Sequence, residues 1–276
     1  MTLMPGLRLF AGSDDGERFL ADGAMGTELM KRGVTAHRIL AANLEHPEWV
    51  REMHAAYLQA GAQVITANTF GIPVGDEFED AVRAGIEIAE SAATESEREI
   101  WVWASFAPQT VIEQRSALAR LGSVLPKILL VETCVSLLEA IQAIIVLREL
   151  KGHIKAVTCH FRADGTLPDG TTAPDTFETL CMYGASIRGA NCGASASAFP
   201  SLAKQWPKFM PGLRLFQPSA GIPAQNERGE WVYPVEPEQW AEIGMQLFDA
   251  GVNIVGGCCG TTPAHIAALA ERVSGC

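Results

Sequence analysis

The feature that most restricts how this chain folds is a rhythm. Apolar, β-rich runs alternate with helix-like stretches along almost its whole length. Eight runs read as strands, at 18–21, 63–67, 100–106, 128–132, 154–160, 185–191, 213–218 and 253–257. Most are continuously apolar, the pattern of strands covered on both faces. Helical patterns fill the gaps at 48–60, 77–96, 136–151, 175–183, 201–206, 237–250 and 263–273. Repeated strand–helix alternation predicts a parallel sheet. Eight repeats in 276 residues fit an α/β fold of the closed (β/α)8 kind, a TIM barrel, better than an open doubly wound sheet. An open sheet would call for a nucleotide fingerprint. No G-x-G-x-x-G follows the first run, and no G-x-x-x-x-G-K-[ST] occurs.

One unit is irregular. Between Phe106 and Ile128 only about twenty residues hold a whole crossover. The third β/α unit is therefore expected to be shortened, with 110–121 as its helix. No linker interrupts the chain, so a single barrel domain over 1–276 is expected. The polar stretch 220–233 reads as a long loop after strand seven, on the face where barrels carry their sites.

Composition narrows the partners. Apolar residues make up 48% and charged residues 19%, enough for a large core. The net charge of −11 disfavours nucleic acid and anionic lipid as partners. The longest apolar stretches, 128–131 and 143–147, are too short to span a membrane, and 1–10 lacks the apolar core of an export signal. The seven cysteines are odd in number and irregularly spaced, which favours a cytoplasmic chain with reduced thiols over a disulfide scaffold.

Two groups of thiols fall where a barrel places its chemistry. Cys192, in Gly189-Ala190-Asn191-Cys192-Gly193, ends the sixth run. Cys258 and Cys259, in Gly256-Gly257-Cys258-Cys259-Gly260, end the eighth. One strand separates these two, so both ends open on one rim and three thiolates can converge. Neighbouring side chains on a regular strand point to opposite faces, so the Cys258–Cys259 pair needs a backbone that leaves β geometry. The flanking glycines permit that. The next residues suggest a helix start, with Thr262 as N-cap and Pro263 at the first helical position. Three thiolates suit Zn2+, with a fourth tetrahedral position open to water or substrate. Spacing alone leaves open the plainer alternative of three buried cysteines near tight turns.

Further stretches appear in order: Asp22-Gly23-Ala24-Met25-Gly26-Thr27, Ala67-Asn68-Thr69-Phe70, Val131-Glu132-Thr133, and Gly256-Gly257-Cys258-Cys259-Gly260-Thr261-Thr262-Pro263. Together with the Cys192 segment they resemble the homocysteine S-methyltransferase family over nearly the whole chain. That family includes the homocysteine-binding barrel of cobalamin-dependent methionine synthase and the enzymes that use betaine or S-methylmethionine. The resemblance implies zinc held by Cys192, Cys258 and Cys259, and methyl transfer to homocysteine, giving methionine. It implies substrate contacts at Asp22, Gly23 and Glu132, with the two carboxylates receiving the substrate ammonium. Asn68, Thr69 and Asn191 would bind the substrate or orient the zinc ligands. A thiol bound to zinc is deprotonated outright, and three thiolate ligands keep it nucleophilic. His160 is expected to face the rim, and His265 to pack in the last helix. Cys134, Cys159, Cys181 and Cys276 are expected to have no metal role.

The pattern also departs from the family. Pro218-Ser219-Ala220-Gly221 stands where relatives often carry Pro-Asn-Ala-Gly, and 33–38 lacks the tryptophan of a betaine cage. No D-x-H-x-x-G cobalamin signature occurs. Methylcobalamin on a separate corrinoid protein, or a sulfonium such as S-methylmethionine, is the expected donor. The alternatives are a zinc hydrolase, disfavoured by all-thiolate ligation, and a non-catalytic homocysteine-binding or corrinoid-partner subunit.

Overall fold

A computed structural model describes residues 17–71, 77–193, 195–207, 210–227 and 231–275. Cys276 and 1–10 lie outside the described residues, as do 228–230 of the loop expected after strand seven.

The eight barrel strands are β1 Phe19–Leu20, β2 Val64–Ala67, β3 Trp101–Phe106, β4 Ile128–Cys134, β5 Ile154–Cys159, β6 Ile187–Cys192, β7 Leu213–Pro218 and β8 Ile254–Val255. Each pairs in parallel with its sequence neighbours from β2 to β7, and β8 lies between β7 and β1. A parallel bridge from Ala21 to Val64 joins β1 to β2 and closes the ring. The expected TIM barrel is what forms. Its inside is filled by Ala21, Val64, Trp103, Ile128, Leu130, Ala156, Ile187, Leu213, Leu215 and Ile254. The opposite strand faces pack on the helices and form the larger core.

The differences from expectation are local. The third unit is compact but complete: Thr110 and Glu113 form a capping box that opens the helix Val111–Leu121. The helix expected at 201–206 is a 3-10 turn, Ala196–Ala198, followed by Phe199–Ala203. The loop after β7 carries an antiparallel hairpin, Ala224–Gln225 with Trp231–Val232. β1 and β8 are shorter than expected because the chain leaves the sheet just after Ala21 and at Gly256, where the site begins. Among the described residues no helix is long and apolar enough to cross a membrane.

Candidate functional site

Side chains alternate along a strand, so the inward positions can be followed upward from the apolar floor. Thr66 follows Val64, Ser105 follows Trp103, Glu132 follows Leu130 and Thr158 follows Ala156. Asn191 and Gln217 continue β6 and β7 in the same way, paired in register. Each strand thus changes from apolar to polar at its C-terminal end, and the barrel mouth acquires a buried polar layer.

The three cysteines stand above that layer. Their sulfurs lie within 4.8 Å of one another, and each residue is half-buried. Cys192 reaches the position through a left-handed backbone, φ 62°, rare for a residue with a side chain. The other two come from a tight turn after β8. Gly257 N donates to Asp22 O at 2.8 Å and Cys258 N to Pro218 O at 3.1 Å, so this turn is sewn to its neighbours on both sides. A Cβ on Gly257 would fall 2.1 Å from Thr261 Oγ1, which itself donates to Cys258 O at 2.7 Å. Gly260 has φ 80° and supports the Tyr233 ring, with 2.0 Å between that ring and any Cβ placed there. Thr262 and Pro263 open the last helix as expected.

The sulfurs share charge. Hydrogen bonds from Cys258, Cys259 and His160 hold the Cys192 thiol far below its usual value. The bond to Cys192, above all, pushes Cys258 well up and Cys259 to about 11. Two thiols resist ionising beside one thiolate, the situation a shared cation relieves. Donor number, softness and spacing all fit a divalent thiophilic metal.

Two carboxylates flank the cluster. Asp22 is buried, 2% exposed, and accepts from Thr66 N at 2.7 Å and Thr66 Oγ1 at 2.9 Å. Trp103 Nε1 donates in turn to that hydroxyl at 2.5 Å. Burial, above all, raises the Asp22 carboxyl to about 7 against the hydrogen bonds from Thr66. Glu132 accepts from the Ser105 hydroxyl and from Asn191 Nδ2, the latter at 3.0 Å, and burial likewise lifts it to about 7. Two buried acids that face no cation from the protein in these bonds are suited to an incoming ammonium.

The remaining expected residues divide. Asn191 is in the polar layer, bonded to Glu132, Thr133 and Thr158. Asn68 and Thr69 were expected to donate to substrate or orient ligands, but their donors are used inside the protein. Asn68 Nδ2 donates to Ile39 O at 2.8 Å and Asn43 Oδ1 at 2.9 Å, and Thr69 Oγ1 to Ser105 O at 2.8 Å. Gly23 is wedged beneath Thr261 and Tyr57, where a Cβ would lie 2.8 Å from either oxygen. His160 faces the rim and accepts from Gly193 N through Nδ1 at 3.3 Å. His265 is packed, with Nδ1 accepting from Thr262 N and Nε2 bonded to Val235 O at 2.9 Å. Cys134 and Cys159 are buried opposite each other in the β4–β5 ladder, in the core shared with the helices. Sequence reasoning missed Thr66, Ser105, Thr158 and Gln217. Each is a polar residue at the last inward position of its strand, and that parity was the signal. It also missed Tyr233, whose hydroxyl is pushed to about 12 by burial and by the charge of the sulfurs.

Fold and site together define a TIM barrel with a three-sulfur centre and two buried carboxylates at its mouth. The family model for homocysteine S-methyltransferase matches residues 19–273. The chain belongs to that family. It is 28% identical over 294 residues to methionine synthase of Mycobacterium tuberculosis (strain ATCC 25618 / H37Rv), covering 92% of this chain but 24% of that protein. It thus spans about a quarter of the methionine synthases it matches. It is 26% identical over 300 residues to S-methylmethionine–homocysteine S-methyltransferase BHMT2 of Rattus norvegicus, covering 95% of this chain and 80% of that one. The homocysteine methyltransferase MmuM of Escherichia coli, in its apo form, superposes with a TM-score of 0.74 at 25% identity, covering 96% of this chain and 99% of that one. A metallated form of MmuM superposes with a TM-score of 0.76.

Proposed function

We propose that this barrel transfers a methyl group to the sulfur of homocysteine, giving methionine, with zinc held by Cys192, Cys258 and Cys259. The observation that carries the reading is the meeting of three sulfurs within 4.8 Å at the mouth, beside two buried carboxylates. Zinc there would supply a Lewis acid at which a substrate thiol is held ionised at neutral pH. The chain's own residues do the rest. Asp22 and Glu132 receive the substrate ammonium, each held by a hydroxyl, from Thr66 and Ser105 respectively. That fixes the amino-acid end, so the sulfur meets the methyl carbon in line. The thiol proton leaves to solvent on binding, and in the transfer a sulfur–carbon bond forms as the donor–carbon bond breaks.

The donor we favour is methylcobalamin on a separate protein or a sulfonium such as S-methylmethionine. Betaine is the least favoured. The Trp49 ring, which lines a cleft with Gly33, Val34 and Thr35, is stacked on His46 at 4.0 Å and has the Arg32 guanidinium 5.9 Å from its centroid, so its faces are already used. Reduced thiols at the site suit the cytoplasm. The similarity to the methionine synthases supports a second reading, a homocysteine-binding or corrinoid-partner subunit without turnover of its own.

Zinc-loaded protein is mixed with homocysteine and, separately, methylcobalamin, S-methylmethionine and betaine, and methionine is measured. Metal content is compared with that of Cys192→Ser and Cys259→Ser. Methionine from one of the first two donors and loss of zinc from both variants are expected. Full zinc in both variants would defeat the site, and homocysteine binding without turnover would favour the second reading.

A further inference from the structure

We infer that Asn191 is the positioning residue that ties recognition of the substrate's amino group to the sulfur cluster, and so sets selectivity for an amino-acid thiol; this rests on the function proposed above.

Asn191 is fully buried and uses both ends of its amide. Its Oδ1 accepts from Thr133 N and from Thr158 Oγ1, each at 2.9 Å. Its Nδ2 donates to Glu132 Oε2 at 3.0 Å and Thr133 Oγ1 at 2.7 Å, and lies 4.0 Å from Cys258 Sγ. Two residues with side chains take left-handed backbone among the described residues: Thr133 with φ 67° and Cys192 with φ 62°. One directly follows Glu132 and the other directly follows Asn191. Such conformations persist only where the surroundings hold them. Here a single amide holds one through its side-chain bonds and joins the other through the chain.

The consequence is geometric. The carboxylate on β4 and the first sulfur on β6 sit on separate strands, with β5 between them. Asn191 spans that gap through Glu132, Thr133 and Thr158, so the distance from ammonium acceptor to sulfur becomes a property of one side chain. A substrate that must reach both is thereby measured. Releasing Asn191 leaves Glu132 with its Ser105 contact but free to turn. Amino-group recognition then weakens while thiol binding stays.

The test compares two ligands by calorimetry on zinc-loaded protein: homocysteine and 4-mercaptobutanoate, the same thiol acid without its amino group. Wild type is expected to prefer homocysteine. Asn191→Ala is expected to reduce that preference roughly tenfold or more, the scale of a hydrogen bond to a charged group. Its affinity for 4-mercaptobutanoate and its zinc affinity, read by chelator competition, should change little. Thr158→Val removes one bond to Asn191 at a buried site and keeps the fold if Asn191→Ala does not. It should reduce the preference in the same direction but less. If wild type shows no preference, the assignment of Glu132 to the ammonium fails, and the proposal with it. If wild type prefers homocysteine and the variants keep that preference, or lose both ligands and zinc equally, Asn191 is only structural and the inference is overturned.

Discussion

Replacing Asp22 with asparagine should make the protein more stable and nearly blind to homocysteine. Asp22 is 2% exposed and its carboxyl is raised from 3.8 to about 7, chiefly by burial. Each tenfold change in acidity is worth about 1.4 kcal/mol, so ionising this group in the fold costs at most about 4 kcal/mol relative to the unfolded chain. The sign follows from the raised value. The folded state holds the proton more tightly, so the relative stability is complete below pH 3.8 and is lost as pH rises through about 7. Asparagine can keep the local bonds. Its oxygen can accept from Thr66 N, and its amide can donate to the Thr66 hydroxyl, which has a second lone pair beside the one that takes Trp103 Nε1. Urea unfolding of wild type and Asp22→Asn at matched metal content, from pH 4 to pH 8, checks this. The variant should gain a few kcal/mol at pH 8, about the size above at most, and the gain should vanish towards pH 4. Homocysteine should raise the melting temperature of wild type far more than that of the variant. A variant less stable than wild type at pH 8, or a gain independent of pH, would refute the reasoning.

Three further outcomes are expected. His54 is completely buried with neither ring nitrogen bonded, and burial lowers it from 6.5 to about 4. Its folded value is depressed, so stability is lost as pH falls from 6.5 towards 4, by about 3 kcal/mol; His54→Leu should flatten that loss in urea titrations at pH 7 and pH 5. Gly257→Ala places a Cβ 2.1 Å from Thr261 Oγ1, so the cysteine turn must shift. Chelator competition should show a large loss of zinc affinity beside a stability loss of about 1–3 kcal/mol. Glu132→Gln keeps an acceptor for Asn191 but removes the charge, and should weaken homocysteine binding about tenfold or more in calorimetry while zinc content stays at the wild-type level.

Much of this protein was legible in one dimension. The barrel follows from eight apolar runs, because a strand covered on both faces needs no polar alternation and a parallel neighbour needs a helix to return. The glycines around Cys258 and Cys259 announced a turn there, since successive side chains on a regular strand cannot meet one point. What the sequence could not decide was who bonds to whom across the mouth. Asn68 and Thr69 belong to the same kind of motif as Asn191, yet they hold the protein's own carbonyls while Asn191 reaches Glu132. Thr66 and Ser105 carry no motif at all, yet they hold the two carboxylates. Composition and period report which face a side chain takes and how apolar it is. Hydrogen-bond partners and the weakened acidity of the two carboxyls depend on strands brought together by closure of the ring, and that is settled only in three dimensions.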